Sequence, residues 1–181
     1  MAGSETLGQS VSSSFNNKNV GTGKTVTVNS ITLSDGSNGG VASNYSISSG
    51  QTTTANITAK ALTVSGITAS NKTYDGNTVV TLDLTGTSYS GLVSGDDVSI
   101  SASGSFDNKN VGTGKTVNIS SSYSGSDVGN YSITDQATTT ANITASVSGI
   151  TVRGITASNK TYDGNNSATL DTSNVSYSGL V

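Results

Sequence analysis

The sequence predicts an all-β protein: small β-sandwich or grasp-like repeat domains in tandem, arranged end to end as an elongated rod. Three observations carry that expectation. Residues 66–77, Gly-Ile-Thr-Ala-Ser-Asn-Lys-Thr-Tyr-Asp-Gly-Asn, return letter for letter at 154–165, and residues 15–26, Phe-Asn-Asn-Lys-Asn-Val-Gly-Thr-Gly-Lys-Thr-Val, recur at 106–117 with one change, Asn16 to Asp107. A repeat of this size governs the fold, because each unit stacks on its neighbours. Apolar residues alternate with polar ones, and no window shows the three-and-four spacing of a helix. The Thr, Ser, Asn, Val and Gly content disfavours helix throughout.

The distance between the two copies sets a unit of 88 residues. The expected organisation is 1–65, an incomplete first repeat without its opening strands; 66–153, a complete repeat with the junction that follows it; and 154–181, the opening part of a third. Met1 followed by small residues reads as a start placed inside a longer protein.

Taken in order, Leu7 to Phe15 aligns with Val98 to Phe106. Thr25-Val26-Thr27-Val28 has the period of a half-buried strand, and Asn29 and Ser30 shift the parity to Ile31 and Leu33, which predicts a bulge or turn. Ser34 to Gly40 is a cluster of residues that tolerate positive φ, and its counterpart is five residues shorter, so it is a surface loop. Asn44 to Ile47 and its copy Asn130 to Ile133 read as strands, as do Thr52 to Ala59 and Thr138 to Ala145. Lys60 to Gly66 reads as a short, stiff junction. The complete repeat then offers Ile67 and Ala69, Val80, Leu82 and Leu84, Val98 to Phe106, and Val117 and Ile119 as alternating strands.

Composition excludes whole classes of function. Cys and His are absent, which removes disulfides, thiolate and imidazole ligands and the common nucleophile-base pairs. A net charge of -3, with 10% of residues charged, leaves no basic stripe for nucleic acid and no polybasic patch for a membrane surface. No apolar run approaches the roughly 20 residues that span a bilayer. The chain is expected to be no enzyme, with no catalytic, cofactor-binding or metal-binding residue and no cofactor.

The most site-like cluster, Lys72, Tyr74, Asp75 and Gly76 with its copy Lys160, Tyr162, Asp163 and Gly164, is read as a structural turn. Asp-Gly and Gly-Asn make tight turns, and the tyrosine packs its ring while its hydroxyl stays wet. Phe15, Phe106, Tyr45 and Tyr131 are expected in the core. Asp96-Asp97 has no third acidic residue nearby in the sequence, which argues against a metal site. Val111 to Thr116 echoes a phosphate-binding loop, but a strand follows where that motif needs a helix, so it reads as a Gly-rich hairpin turn. Lys72, Lys109 and Lys115 are candidates for an intramolecular Lys-Asn amide, which needs a buried carboxyl beside the pair.

In order along the chain, Lys-Thr-Tyr-Asp-Gly-Asn, Tyr-Ser-Gly-Leu-Val, Phe-Asp-Asn-Lys-Asn-Val-Gly-Thr-Gly-Lys-Thr-Val, Asn-Tyr-Ser-Ile and Thr-Thr-Ala-Asn-Ile-Thr resemble the YDG-domain repeat. That family occurs in tandem in large bacterial surface adhesins, including secreted proteins similar to filamentous haemagglutinin that leave by two-partner secretion. The resemblance implies a non-enzymatic structural protein, a stalk or fibre segment at the bacterial cell surface, whose partners are neighbouring repeats. The alternative is a carbohydrate- or matrix-binding module in which Tyr45, Tyr89, Tyr123 and Tyr131 stack on host sugars. The two partial repeats are complementary parts of one domain, which predicts head-to-tail self-association by completion of split domains.

Overall fold

The computed structural model describes residues 3–147 and 149–181. It is all-β: 50% of the chain is strand, with a nearly closed, barrel-like sheet. The helical pieces among the described residues are single 3-10 turns, Ala42–Asn44 and Val128–Asn130. The chain divides into two compact units, one made of Met1–Val64, Tyr89–Ile100 and Tyr123–Thr134, the other of Ser65–Ser88, Ser101–Ser122 and Asp135–Val181. Each unit draws on more than one sequence repeat.

In the first unit, the alternating segments Leu7–Phe15 and Gly21–Asp35 form a long antiparallel hairpin, with Leu7 opposite Asp35 and Phe15 opposite Val26. Ser12 faces Ser30 while Ser13 faces Val28, so Asn29 is the extra residue of a β-bulge, at the place where the sequence changes parity. Thr52–Ile57 adds a third strand antiparallel to Gly21–Asp35. The loop after Asp35 folds back on Thr6, whose Oγ1 accepts from the Ser37 amide at 2.9 Å.

A second sheet of this unit is centred on Lys60–Ser65, which lies between Ser88–Ser90 and Tyr131–Thr134. The pairing with Tyr131–Thr134 is parallel, Leu62 beside Ile133. Leu62 and Val64 are fully buried, so the segment read as a junction is a core strand. Two apolar positions are too few for the alternation to announce itself. Asn44 to Ile47 corrects the opposite way: it begins at the end of a 3-10 turn and continues as backbone that is not part of a strand. Its copy Tyr131–Thr134 is a strand because Lys60–Ser65 lies alongside it, and no such neighbour reaches Ile47 among the described residues.

The second unit contains most of a five-stranded sheet ordered Lys72–Thr73, Thr138–Thr144, Gly112–Ser124, Ser99–Phe106, Val79–Val80. Its two edge strands lie one turn apart in sequence, so a single tight turn joins the sheet's first and last strands. Inside sit Val80, Phe106, Val117, Ala141 and Ile143, with Ala69, Tyr74 and Leu82 packed against them. Gly104 faces Val80, and a Cβ there would lie 2.7 Å from Leu82 Cδ2 and 2.9 Å from Val80 Cγ1, so the strands approach this closely only over glycine. Ile67 is buried, and its backbone is satisfied by one side chain: Gln136 Nε2 donates to its carbonyl at 2.7 Å and Oε1 accepts from its amide at 3.0 Å. Short pairs complete the unit: Thr68–Ala69 with Leu82–Asp83, Thr156–Ala157 with Leu170–Asp171, and Thr151–Arg153 with Ser176–Ser178.

Candidate functional site

Three lysines organise the polar geometry. The first stands in the repeated turn. Lys72 lies on a sheet edge with its side chain largely covered, and its ammonium reaches Asp75 Oδ1 at 2.7 Å, Asn77 Oδ1 at 2.9 Å and the Val79 carbonyl at 2.9 Å. Asp75 also accepts from the Asn77 amide at 3.1 Å, and Gly76 holds φ at 80°. One cation therefore ties the Lys72–Thr73 edge to the Val79–Val80 edge. The turn is the seam at which the sheet's ends meet. Tyr74, half-buried, packs on the core beneath it. The copy is built alike, with Lys160 2.8 Å from Asp163 and Gly164 at φ 76°, yet Tyr162 above it is 93% exposed.

Lys115 performs a comparable closure of the hairpin loop, reaching Asp107 at 3.0 Å and Asn108 Oδ1 at 2.8 Å. The Gly-rich stretch beside it is strand with a register slip between Gly112 and Lys115, and the Gly114 amide donates to Asn142 Oδ1 at 2.7 Å. No helix presents amides to a phosphate there. Asp75 and Asp107 are each 46% exposed at the side chain, and their lysines hold them below the usual carboxylate range. Ionised, solvated carboxylates are the opposite of the buried acid that Lys-Asn amide formation requires.

The third lysine makes the densest cluster, and it links two sequence repeats within the first compact unit. Lys18, from the Asn-Lys-Asn-Val loop at the end of the first hairpin, sits 2.9 Å from Asp96 Oδ1 and 2.8 Å from Asp127 Oδ1. The lysine is mostly exposed, but the two carboxylates are only 12% and 11% exposed. Both are held by further donors: Tyr131 Oη donates to Asp96 at 2.6 Å, and the Asp97 amide donates to Asp127 at 3.0 Å. Next to the ion pair, the Val20 amide donates to Asn130 Oδ1 at 2.9 Å. Asp96 is held below the usual carboxylate range by Tyr131 first and Lys18 second, and Asp127 by Lys18 and then the Asp97 amide. The same contacts raise Lys18 above the ordinary lysine value, and burial raises the Tyr131 phenol. A cleft of about 250 Å³ lies beside the cluster, walled by Val20, Ile57, Val93 and Tyr131.

Sequence reading finds Asp96 but not its partners. The chain folds Asp127 and Lys18 onto it from 31 residues later and 78 residues earlier, so the acidic pair that looked isolated has a third carboxylate and a cation. The available signal was the recurrence of Lys18 at Lys109, in a loop that offers neither lysine a local partner. Among the described residues, no group of three or more His, Cys, Asp or Glu is placed to hold a metal.

The other tyrosines and phenylalanines fall into two sets. Phe106 is 3% exposed and Tyr131 is buried, while Phe15 is 37% exposed and Tyr45 half-buried. Tyr89 and Tyr123 are half-buried as well. Tyr45 Oη donates to Glu5 at 2.5 Å, reproducing in the first repeat the Tyr131 to Asp96 bond. Lys109, the counterpart of Lys18, is exposed and has no partner among the described residues.

Compared with known proteins, the chain matches the family model described as the YDG domain over residues 1–55 and again over 58–141. No curated protein and no solved structure matches it.

Proposed function

The chain belongs to the YDG domain family, and from that premise we propose that it is a non-enzymatic spacer: tandem repeats set end to end as a stalk or fibre segment of an adhesin outside a bacterial cell. The observation that carries this reading is the Lys18 cluster. A hairpin loop of one sequence repeat held by two carboxylates and a backbone hydrogen bond of the next makes successive repeats share one compact unit, which suits a continuous spacer. Nothing in the cluster is arranged as an acid, base or nucleophile toward a substrate, because each charged group already spends its hydrogen bonds on another.

Small-angle scattering tests the reading. A compact globule of this length has a radius of gyration of about 16 Å. A rod gives a value well above that, and a curve fitted by the compact value overturns the spacer. The sugar-binding alternative has less behind it, since Tyr131 is buried with its hydroxyl engaged and Tyr45 has its hydroxyl on Glu5. Binding of the chain to a glycan array would revive it.

A further inference from the structure

We propose that the Lys18 cluster is an acid-released latch: when Asp96 and Asp127 take up protons, residues 16–20 of the first repeat detach from the middle repeat while the five-stranded sheet stays folded. Holding successive repeats together is the purpose that the spacer reading gives this joint, and the latch goes beyond that reading by making the hold conditional. The attachment is narrow and polar. Asn16 to Asn19 are exposed and Val20 is half-buried. Among the described residues, the loop reaches the middle repeat through Lys18, 2.9 Å from Asp96 and 2.8 Å from Asp127, and through Asn130. Asn130 Oδ1 accepts from the Val20 amide at 2.9 Å, and its Nδ2 donates to Asn19 Oδ1 at 3.4 Å. Val20 also faces Val93 and Tyr131 across the cleft. One cation thus serves two carboxylates that are only 12% and 11% exposed, and its hold ends when both lose their charge.

The groups that face the two carboxylates come from every element around them: Lys18 from the hairpin loop, Tyr131 from its strand, Asp97 beside Asp96, and Lys60 at the rim of the cleft. Asp97 is exposed, with its Oδ2 on the Ser126 amide at 3.1 Å. Lys18 and Tyr131 are both raised, so they keep their protons throughout acid and leave the carboxylates to titrate. Release orphans no buried group. Tyr131 Oη keeps the Val93 amide at 3.0 Å and stays beside Asp96, and the Asp97 amide stays on Asp127, because a neutral carboxyl still accepts. Lys18, whose side chain is 66% exposed, passes to water. The rest of the middle repeat does not depend on acid in this way. Val80, Phe106, Val117, Ala141 and Ile143 inside its sheet carry no charge. Asp75 and Asp107 are 46% exposed and bind lysines of their own loops, so losing those pairs separates nothing. The loop therefore has a route to open by itself.

Amide hydrogen exchange of the 181-residue chain, read by NMR as the pH is lowered from neutral, tests this. The Val20 amide reports on the latch, and the Ile119 amide, on the Ala137 carbonyl at 2.9 Å, reports on the sheet. Below about pH 4 the protection of Val20, corrected for the intrinsic rate, should fall by up to about a hundredfold per pH unit, tenfold for each proton bound, while that of Ile119 holds. Asp96→Asn and Asp127→Asn should each reduce the steepest dependence to about tenfold per unit, and the double variant should leave Val20 unprotected at neutral pH. Protection at Ile119 shows that each variant folds, and where one does not the profile of the parent chain still decides. Val20 and Ile119 losing protection together, or Val20 keeping its protection until the sheet unfolds, overturns the latch. A dependence that neither substitution lowers overturns the assignment to these carboxylates. The two readings fail separately: scattering that fits a compact chain ends the spacer and leaves the latch, whereas a Val20 amide indifferent to acid ends the latch and leaves the spacer.

Discussion

Residues 66–77 and 154–165 are the same twelve amino acids in two environments. Their turns agree closely: lysine to aspartate at 2.7 and 2.8 Å, the asparagine amide to the aspartate at 3.1 Å in both, and glycine φ at 80° and 76°. Their burial does not. Ile67 is 1% exposed and Ile155 49%. The turn is therefore a local product of Lys-Thr-Tyr-Asp-Gly-Asn, whereas the core is made by strands that come later in the chain and cross over the opening. Identical sequence has identical propensity, so the difference measures tertiary context alone.

The comparison breaks or sharpens at four places. Phe106→Ala should cost the largest amount, about 3 to 5 kcal/mol, because a ring buried in the five-strand core leaves a cavity. In dilute solution Phe15→Ala should cost under about 1 kcal/mol, as for an exposed position. Urea denaturation of both variants checks the pair, and equal losses would mean that the two hairpins share one environment. Tyr74→Ala should destabilise by about 2 to 4 kcal/mol and Tyr162→Ala by almost nothing, with the two midpoints measured side by side. Gly104→Ala is expected to lose about 1 to 3 kcal/mol through overpacking against Leu82 and Val80, while Ser13→Ala, on an uncovered strand, should be neutral.

The smallest effect concerns pH. Asp96 and Asp127 have folded values below their unfolded ones, so their contribution is present above the ordinary carboxylate range and is lost as pH falls through the depressed values. Lys18 is raised, so its share persists below the ordinary lysine value of 10.5 and disappears only as pH rises past the folded one. The gap in urea midpoint between the parent chain and Lys18→Met should therefore hold at neutral pH and shrink below about pH 4. A gap that does not change with acid would mean that the lysine acts by packing and not by charge.

The hairpins, the bulge at Asn29, the loop after Ser34 and the repeated turn were legible because their causes are local: alternation, a parity change, and Asp-Gly-Asn chemistry. Lys60–Ser65 was not, since its two buried side chains follow from neighbours some 25 and 70 residues onward. Asn44 to Ile47 misled for the same reason in reverse, having a strand's pattern without a strand to join. The Lys18 cluster was out of reach of local reading, since its members come from three separated stretches. Lysine alone in a repeated loop, and an acidic residue retained at both Glu5 and Asp96, were the traces it left.

The parallel pairings carry a mechanical consequence. Lys60–Ser65 leads into the middle repeat and runs parallel to Tyr131–Thr134, and Lys72–Thr73 runs parallel to Thr138–Thr144 near the repeat's end. Tension drawn along the chain pulls the early member of each pair backwards and the late member forwards, so the inter-strand bonds bear the load together, in shear. Antiparallel neighbours pulled from their open ends would instead unzip one bond at a time. Each pair resists stretching as a lap joint does, by sharing the force along its length.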